Sequence, residues 1–298
     1  MTPGIHLLHK PPGPTSFSIV PSLMKSLQPA PGRRPPRICH GGALDPFASG
    51  LLIILVEPAT RLFDYLHPIP KTYQATIRWG IETDNGDPHG KVTFQGDPST
   101  LTPPQLDDFL KLFQGWHDQI PHATSNKRVA GERAYLKAHR GEDVNMPPSR
   151  VYLHEATFLN HNLPQESTLK MTVRGGYYVR ALARDLGRLA ACGAHLTQLR
   201  RTTIGPWPDP APDQIISLHA REILPWCQSR ILTDMEIGDL RQNRDIPQKE
   251  LLPPDWPLPQ GFPDPHAPIR AFHQNRLSFL MKHVEDRLQI ITPLRGGL

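Results

Sequence analysis

Apolar and polar residues follow two different periods along the chain. Residues 50–56 form a short apolar run between Gly and Pro, which predicts a strand buried on both faces. Residues 72–79 alternate between apolar and polar positions, which is typical of a half-buried strand. Residues 151–159 and 168–174 give strand signals as well. The pattern therefore predicts a sheet with one deeply buried strand and several half-buried ones.

Two segments have a helical period instead. Residues 101–113 place Thr102 as the N-cap, Pro103 at the first helical position and Gln105 three residues after the cap, before an apolar face. Residues 178–191 repeat apolar residues at helical spacing, with a glycine inside that suggests close packing. Because helices interleave with hairpin-like strand pairs, we predict an α+β fold with a central mixed, mainly antiparallel sheet rather than a Rossmann-type fold.

The C-terminal part predicts a separate small module. A short helix is indicated at 230–240, and three short strands are indicated at 269–273, 277–281 and 287–293. We therefore expect a large domain over residues 1–228 and a small β-rich domain over residues 229–298.

Proline makes up 35 of the 298 residues, which excludes a protein built mostly of long helices. It clusters at 206–212, which we interpret as a linker or strand exit, and at 253–268, which we interpret as a long extended loop or a partly disordered segment.

The formal net charge of +5 is unevenly distributed. Residues 229–298 carry nine Lys or Arg and nine Asp or Glu, so the whole excess lies in residues 1–228. Residues 170–201 alone have seven basic residues against one acidic residue, and six of the seven are arginines, which suit bidentate phosphate contacts. A second basic stretch covers residues 127–140. Such basic runs are usually solvated faces, but the arginine excess of residues 170–201 suits a phosphate-bearing partner better than solubility alone.

Other function classes are disfavoured by composition. No run of about 18 apolar residues is present, so we expect no membrane span. The three cysteines form no CxxC, so a disulfide framework and a structural zinc site are not expected, and a reducing cytoplasm is the simplest location. The chain also lacks a P-loop and a GxGxxG string.

The most unusual local string is HGGALDPFASG at residues 40–50, directly before the buried strand. Its glycines allow close backbone approach to a ligand, and Asp45 lies in a predicted loop. One reading of Asp45 is catalytic. The other is a helix N-cap, since Pro46 follows it as the first helical residue often does.

This string resembles the catalytic motif of the bacterial tRNA pseudouridine-55 synthases, the TruB family. Further strings resemble that family in the same order over about residues 5–205: Leu7 to Pro11 with Pro14-Thr15-Ser16, Lys71-Thr72-Tyr73, Ser125 to Gly131 with Tyr135, Gly176 to Arg180 with Asp185-Leu186-Gly187, and Cys192 to Leu196 with Leu199 to Thr202. The resemblance implies a pseudouridine synthase fold with a C-terminal RNA-binding domain of PUA type. It also implies conversion of uridine 55 in the TΨC arm of tRNA to pseudouridine.

The resemblance also implies roles for particular residues. Asp45 is the essential carboxylate, and Tyr73 stacks on the flipped base. Tyr178 lies near C5 of the base, and Arg180 pairs with Asp45. We predict RNA or substrate contacts by the following residues: His40, Lys10, Arg61, Lys71, Arg128, Arg174, Arg200 and Arg201. The isomerisation needs no cofactor and no metal, and we expect a monomer.

The sequence departs from the family pattern at several positions. Gly41 and His9 stand where threonine and aspartate are usual, and Arg61 and Arg128 stand where lysine is usual. The arginines keep the charge.

Three alternative functions remain open. The chain could act as an RNA chaperone that opens the tRNA elbow without modifying it. It could act as a synthase on another RNA, like the guide-RNA-dependent relatives. A glycosidase would need a second placed carboxylate, and no candidate pair stands out.

Overall fold

A computed structural model describes residues 2–26, 34–262 and 267–298. The helices are α1 (Ser16–Ser26), α2 (Phe63–Leu66), α3 (Pro103–Lys111), α4 (Ala134–His139), α5 (Val179–Leu189) and α6 (Asp234–Arg241), with short 3₁₀ helices at Ala59–Leu62 and Ala220–Glu222. The strands are β1 (Gly4–Lys10), β2 (Ile38–His40), β3 (Ser49–Val56), β4 (Lys71–Trp79), β5 (Ile81–Thr83), β6 (Val92–Gln95), β7 (Gly115–Gln119), β8 (Arg128–Val129), β9 (Glu132–Arg133), β10 (Ser149–Asn162), β11 (Glu166–Val173), β12 (Ala194–Ile204), β13 (Trp207–Pro208), β14 (Ile215–Ser217), β15 (Ser229–Ile231), β16 (Ile246–Pro247), β17 (Ile269–His273), β18 (Arg276–Val284) and β19 (Arg287–Pro293).

Internal contacts divide the chain into two compact units. The first unit comprises the residues before Phe47, Gly50–Ile69 and the chain from Gly205 onwards. The second unit comprises Phe47–Ser49 and Pro70–Ile204. The predicted domain boundary at 228/229 remains a prediction.

The first unit contains the deeply buried strand. β1 lies antiparallel between β14 and β3, and β2 pairs with β3. Every residue from Leu51 to Val56 is fully buried, as the unbroken apolar run predicts. Helix α1 covers this sheet, with Val20 packed among Leu8, Leu52 and Ile54.

The second unit is built on the antiparallel strand order β12–β4–β11–β10–β7. Strand β4 buries alternate side chains, as the period of two predicts. Helix α5 packs against β12 and places Leu182 and Leu186 in the core. Gly187 lies where the helix meets the chain: a Cβ there would stand 2.2 Å from the backbone nitrogen of Ala194, so the close packing suggested by this glycine is present.

The C-terminal sheet has the order β15–β17–β18–β19–β16, with β15 and β17 parallel and the other pairs antiparallel. Helix α6 begins with a capping box in which Thr233 and Glu236 exchange side-chain-to-backbone hydrogen bonds. Arg230 pairs with Glu236 below the surface, and fully buried Arg270 donates to Asp255 at 2.6 Å. Two arginines of this electrically neutral region thus pair with carboxylates of the same region.

The predicted α+β class, with mainly antiparallel strands and a small β-rich C-terminal domain, is confirmed. Helix α3 begins at Pro103 with Thr102 as its N-cap residue, as predicted, although the Thr102 side chain makes no capping hydrogen bond. Residues 253–262 lie outside helices and strands, as expected for the proline-rich segment, whereas part of that prediction (263–266) falls outside the described residues. No helix in the described ranges is long and apolar enough to span a membrane.

Candidate active site

Asp45 lies in the loop between β2 and β3 of the first unit and is half-buried. Its alternative reading as a helix N-cap is wrong, because a turn at Pro46 and Phe47 leads directly into β3. Gly42 adopts a φ of 140°, in the region that favours glycine, so the turn into the loop requires it. The carboxylate of Asp45 therefore does not cap a helix.

The residues on both sides of Asp45 are held by the N-terminal segment. The Leu44 amide donates to Ser16 Oγ at 2.8 Å, and Ser16 Oγ donates back to the Leu44 carbonyl at 3.2 Å. The Pro46 carbonyl accepts from the Gly13 amide at 2.8 Å and from Lys10 Nζ at 3.2 Å. Backbone on either side of the aspartate is thus fixed, which restricts where its carboxylate can point.

Two departures from the expected family pattern have local explanations. Gly41 donates its amide to the Ile53 carbonyl at 2.8 Å, and a Cβ at position 41 would stand 3.1 Å from Ile53 side-chain atoms. The small residue therefore matches the bulk of Ile53. His9 Nδ1 lies 2.9 and 3.0 Å from the two carboxylate oxygens of Asp209. The histidine that stands at the position of the usual aspartate therefore bonds to a neighbouring carboxylate.

Tyr73 and Lys71 lie on the same face of β4 in the second unit. Tyr73 is 8 % exposed and stands opposite Met171 and Arg201 in the neighbouring strands. Burial, and then the charges of Arg201 and Arg174, lower the pKa of Lys71 to about 7. This part of the sheet therefore concentrates positive charge beside the predicted stacking residue.

Tyr178 and Arg180 occupy the start of α5. Tyr178 is extended, with φ −109° and ψ 98°, and directly precedes the first helical residue. Burial raises the pKa of its phenol, so the hydroxyl is protonated at neutral pH. Arg180 is 7 % exposed and donates through Nη1 to the Asn85 carbonyl at 2.5 Å and to Thr124 Oγ1 at 2.9 Å.

Further charged groups continue along α5. Arg184 pairs with Asp185 at 2.8 Å, and Arg188 donates to both carboxylate oxygens of Glu82, at 2.7 and 3.0 Å.

His122 lies near these arginines. Burial, and then the nearby arginine charges, lower the pKa of His122 to about 3, so its ring is neutral. In the described part of the chain no group of three or more His, Cys, Asp or Glu side chains could hold a metal ion.

Comparison with known proteins gives the family. The family model described as TruB family pseudouridylate synthase (N terminal domain) matches residues 32–179, and the model of the tRNA pseudouridylate synthase B C-terminal domain matches residues 180–224. A protein of Parasynechococcus marenigrum named tRNA pseudouridine synthase B is 39 % identical over 255 residues, covering 82 % of this chain and 84 % of that protein. The chain belongs to the TruB family.

Two further TruB relatives carry the same name. The protein of Solibacter usitatus is 32 % identical over 262 residues, which cover 82 % of this chain and 86 % of its own length. The protein of Thermotoga maritima is 34 % identical over 206 residues, which cover 69 % of this chain and 64 % of its own length. The C-terminal sheet from β15 onwards lies beyond the residues that the two family models match.

Solved structures show the same fold. A structure of an H/ACA ribonucleoprotein bound to a substrate RNA containing 2′-deoxyuridine has a chain 18 % identical, with a TM-score of 0.64, matching 98 % of this chain and 84 % of that one. A Cbf5–Nop10–Gar1 complex has a chain 19 % identical, with a TM-score of 0.66 and the same two coverages. These similarities support the pseudouridine synthase fold.

The residues predicted to contact RNA in this TruB member fall into two groups. Arg61, Arg128 and Arg200 are exposed, although Arg61 donates to the Pro293 carbonyl at 3.0 Å and Arg128 donates to the Gly131 carbonyl at 3.0 Å. The other residues are less exposed: His40 and Arg174 are half-buried, and Lys10, Lys71 and Arg201 are buried. The RNA contacts of both groups remain predictions.

Several residues of the site carried no sequence signal. Gln119, Thr124 and Asn85 bond to the backbone of Tyr178 or to the side chain of Arg180, yet each comes from a distant part of the sequence. A hydrogen bond accepted by a main-chain carbonyl does not depend on the residue type, so the bond at Asn85 could not be predicted from the sequence. The pairing of Ser16 with Leu44 was equally hidden, because nothing local joins positions 28 residues apart.

Proposed function

We propose that this protein isomerises uridine 55 in the TΨC arm of tRNA to pseudouridine. The observation that carries the proposal is the position of Asp45: it lies in the part matched by the TruB family model, and both of its neighbours are anchored to the N-terminal segment. The curated relatives named tRNA pseudouridine synthase B support the reaction and the tRNA substrate.

The proposed reaction is an isomerisation. The N1–C1′ glycosidic bond breaks, the uracil turns, and a C5–C1′ bond forms. C5 then loses its proton and N1 gains one, so atoms and electrons balance without a cofactor. Asp45 is the carboxylate on which the exchange depends, since a placed carboxylate can react with an electron-poor carbon of the sugar or the base.

The target base lies in a folded arm and must leave its stack before it can react. In the proposal, Tyr73 supplies the aromatic face for the flipped base, and His40 fills space in the loop that the base leaves. Tyr178 lies near C5 as the proton-removing or base-contacting group, and because burial keeps its phenol protonated, the base-contacting role fits it better. The role that the family resemblance implies for Arg180 is to pair with Asp45 and orient the reacting carboxylate.

The basic stretches form the proposed RNA surface. Arg128 and Arg200 are exposed on two different strands, where they can reach phosphates. RNA recognition of this kind depends on backbone shape and on bases that leave the stack, which fits arginine-rich surfaces better than a deep polar pocket. We further propose that the protein acts as a monomer in the cytoplasm and that the C-terminal domain assists RNA binding.

The direct test maps pseudouridine in tRNA from cells with and without this protein. Loss of pseudouridine at position 55 alone supports the proposal, whereas a change only in another RNA supports the alternative synthase. A second measurement follows tritium release from tRNA labelled at uracil C5. Tight tRNA binding without release by the wild-type protein would support the chaperone alternative instead.

A further inference from the structure

Residues 119–125 connect β7 to the rest of the second unit and contact the first two turns of α5. The Gln119 amide group bonds twice to the Tyr178 backbone: Oε1 accepts from the Tyr178 amide at 3.0 Å, and Nε2 donates to the Tyr178 carbonyl at 3.3 Å. Gln119 is 1 % exposed, so water does not compete strongly for these bonds. Tyr178, the N-cap residue of α5, makes no side-chain capping bond, and Gln119 instead holds the backbone amide and carbonyl of this residue.

The same segment holds the Arg180 guanidinium. Nη1 of Arg180 donates to Thr124 Oγ1 at 2.9 Å as well as to the Asn85 carbonyl at 2.5 Å. One turn later, Nη2 of Arg184 donates to the Ile120 carbonyl at 2.9 Å. A charged donor with two fixed acceptors has far fewer orientations than a free arginine side chain.

His122 completes this arrangement from the centre of the segment. Its carbonyl accepts from the Ser125 amide at 3.0 Å, which closes a tight turn. Its ring lies so close to Gly86 that a Cβ there would stand 2.7 Å from His122 Cε1. Gly86 follows Asn85, so the histidine packs directly against the backbone whose carbonyl receives Arg180. The ring is neutral and therefore does not repel the guanidinium.

We propose that residues 119–125 are a positioning segment for the reaction, in which Gln119 sets the start of α5 at Tyr178 and Thr124 sets the direction of the Arg180 guanidinium. This inference rests on the proposed function, because it assigns no chemistry to Gln119 or Thr124 themselves. Both act through residues that the proposed reaction uses. A small misplacement of such groups lowers the rate of the chemical step without removing the charge that binds RNA.

The main test replaces Thr124 with valine, which keeps the shape and removes the hydroxyl acceptor. We expect the single-turnover rate of pseudouridine formation to fall about tenfold while the dissociation constant for tRNA changes by less than about twofold. Thr124→Ser restores the acceptor and is expected to recover most of the rate. Thr93→Val is the matched control, since the Thr93 hydroxyl likewise takes part in a hydrogen bond, donating to the Glu82 carbonyl at 3.3 Å, but contacts no residue that the proposed reaction uses. We expect this control to keep the wild-type rate.

A double-mutant cycle separates positioning from general stability. In an Arg180→Lys background, Thr124→Val is expected to have no further effect on the rate, because the guanidinium on which it acts is gone. An equal loss in both backgrounds, or no recovery by Thr124→Ser, overturns the proposal.

Gln119→Glu provides the second variant, because glutamate can accept from the Tyr178 amide but cannot donate to its carbonyl. A wild-type rate in a folded Gln119→Glu or Thr124→Val protein also overturns the proposal. If Gln119→Glu does not fold, the test rests on the variants of Thr124, which is only half-buried. A wild-type protein that binds tRNA but forms no pseudouridine contradicts the proposed function itself, and so is distinguished from failure of the positioning role.

Discussion

The hydroxyl of Ser16 and the backbone of Leu44 exchange two hydrogen bonds, at 2.8 and 3.2 Å, directly before Asp45. Both residues are buried. A side chain at the start of α1 therefore fixes the approach of the loop that carries the proposed reacting carboxylate. These two hydrogen bonds connect the family-like string that ends at Ser16 to the string at residues 40–50.

Ser16→Ala removes both of these bonds. We expect it to lower the rate of pseudouridine formation by roughly tenfold to a hundredfold, because a carboxylate displaced by about 1 Å loses much of its effect. The free energy of unfolding should fall by only about 1–3 kcal/mol, the usual range for leaving buried partners unsatisfied. Tritium release and a urea melt measure the two effects. Ser18→Ala is the control, since the exposed Ser18 hydroxyl donates to the nearby Thr15 carbonyl.

Two helical glycines should respond oppositely to alanine. A Cβ at Gly187 would stand 2.2 Å from the Ala194 nitrogen and 2.5 Å from the Gly193 carbonyl carbon, both of which are backbone atoms. We expect Gly187→Ala to destabilise the protein by about 2 kcal/mol or more, since overpacking exceeds the gain of about 1 kcal/mol in helix propensity. Gly238 in α6 has no such neighbour within 4 Å, so Gly238→Ala should stabilise by about 0.5–1 kcal/mol. Thermal melts of both variants check the opposite signs.

Lys71 should make stability depend on pH above neutrality. Its pKa is about 7 in the fold and 10.5 as the ordinary value, so between these limits the unfolded chain holds a proton that the folded protein lacks. The free energy of unfolding contributed by this group therefore rises with pH from about 7 to about 10.5, and below pH 7 the full burial penalty is present. We expect Lys71→Met to flatten this rise in urea titrations at pH 7 and pH 9.5. An unchanged slope in the variant would show that other groups cause it.

His9 should not tolerate the aspartate that is usual in the family. His9→Asp would place a second carboxylate beside Asp209, whose side chain is only 3 % exposed. We expect a loss of about 2 kcal/mol in unfolding free energy at pH 7. Adding Asp209→Asn should recover most of the loss. Denaturant melts of the wild-type protein and of the single and double variants at pH 7 provide the measurement.

Much of the fold follows from local periodicity. The run at 50–56 predicts β3 within one residue of its start at Ser49, and the alternation at 72–79 predicts β4 at Lys71–Trp79. The three short C-terminal strands and the helix at Val179–Leu189 follow the same logic. These elements could be predicted because each buries one face, and burial leaves a period in the sequence.

The site was less accessible to such reasoning. The proposed reacting residues were found by resemblance, and periodicity alone left Asp45 open to the incorrect N-cap reading. The supporting contacts of Gln119 and Thr124 depend on how distant segments meet, so no local pattern encodes them. Lys71 illustrates the same limit: the sequence shows a lysine before a strand, but only the packed sheet reveals its burial beside two arginines.

The proposed function depends above all on Asp45, which we propose carries the isomerisation. Tritium release from tRNA labelled at uracil C5 is compared between the wild-type protein and Asp45→Asn, which keeps the size of the side chain and removes its charge. We expect the wild-type protein to release tritium, and Asp45→Asn to bind tRNA but release none above background. Tritium release at the wild-type rate by a folded Asp45→Asn protein would contradict the proposed role of Asp45.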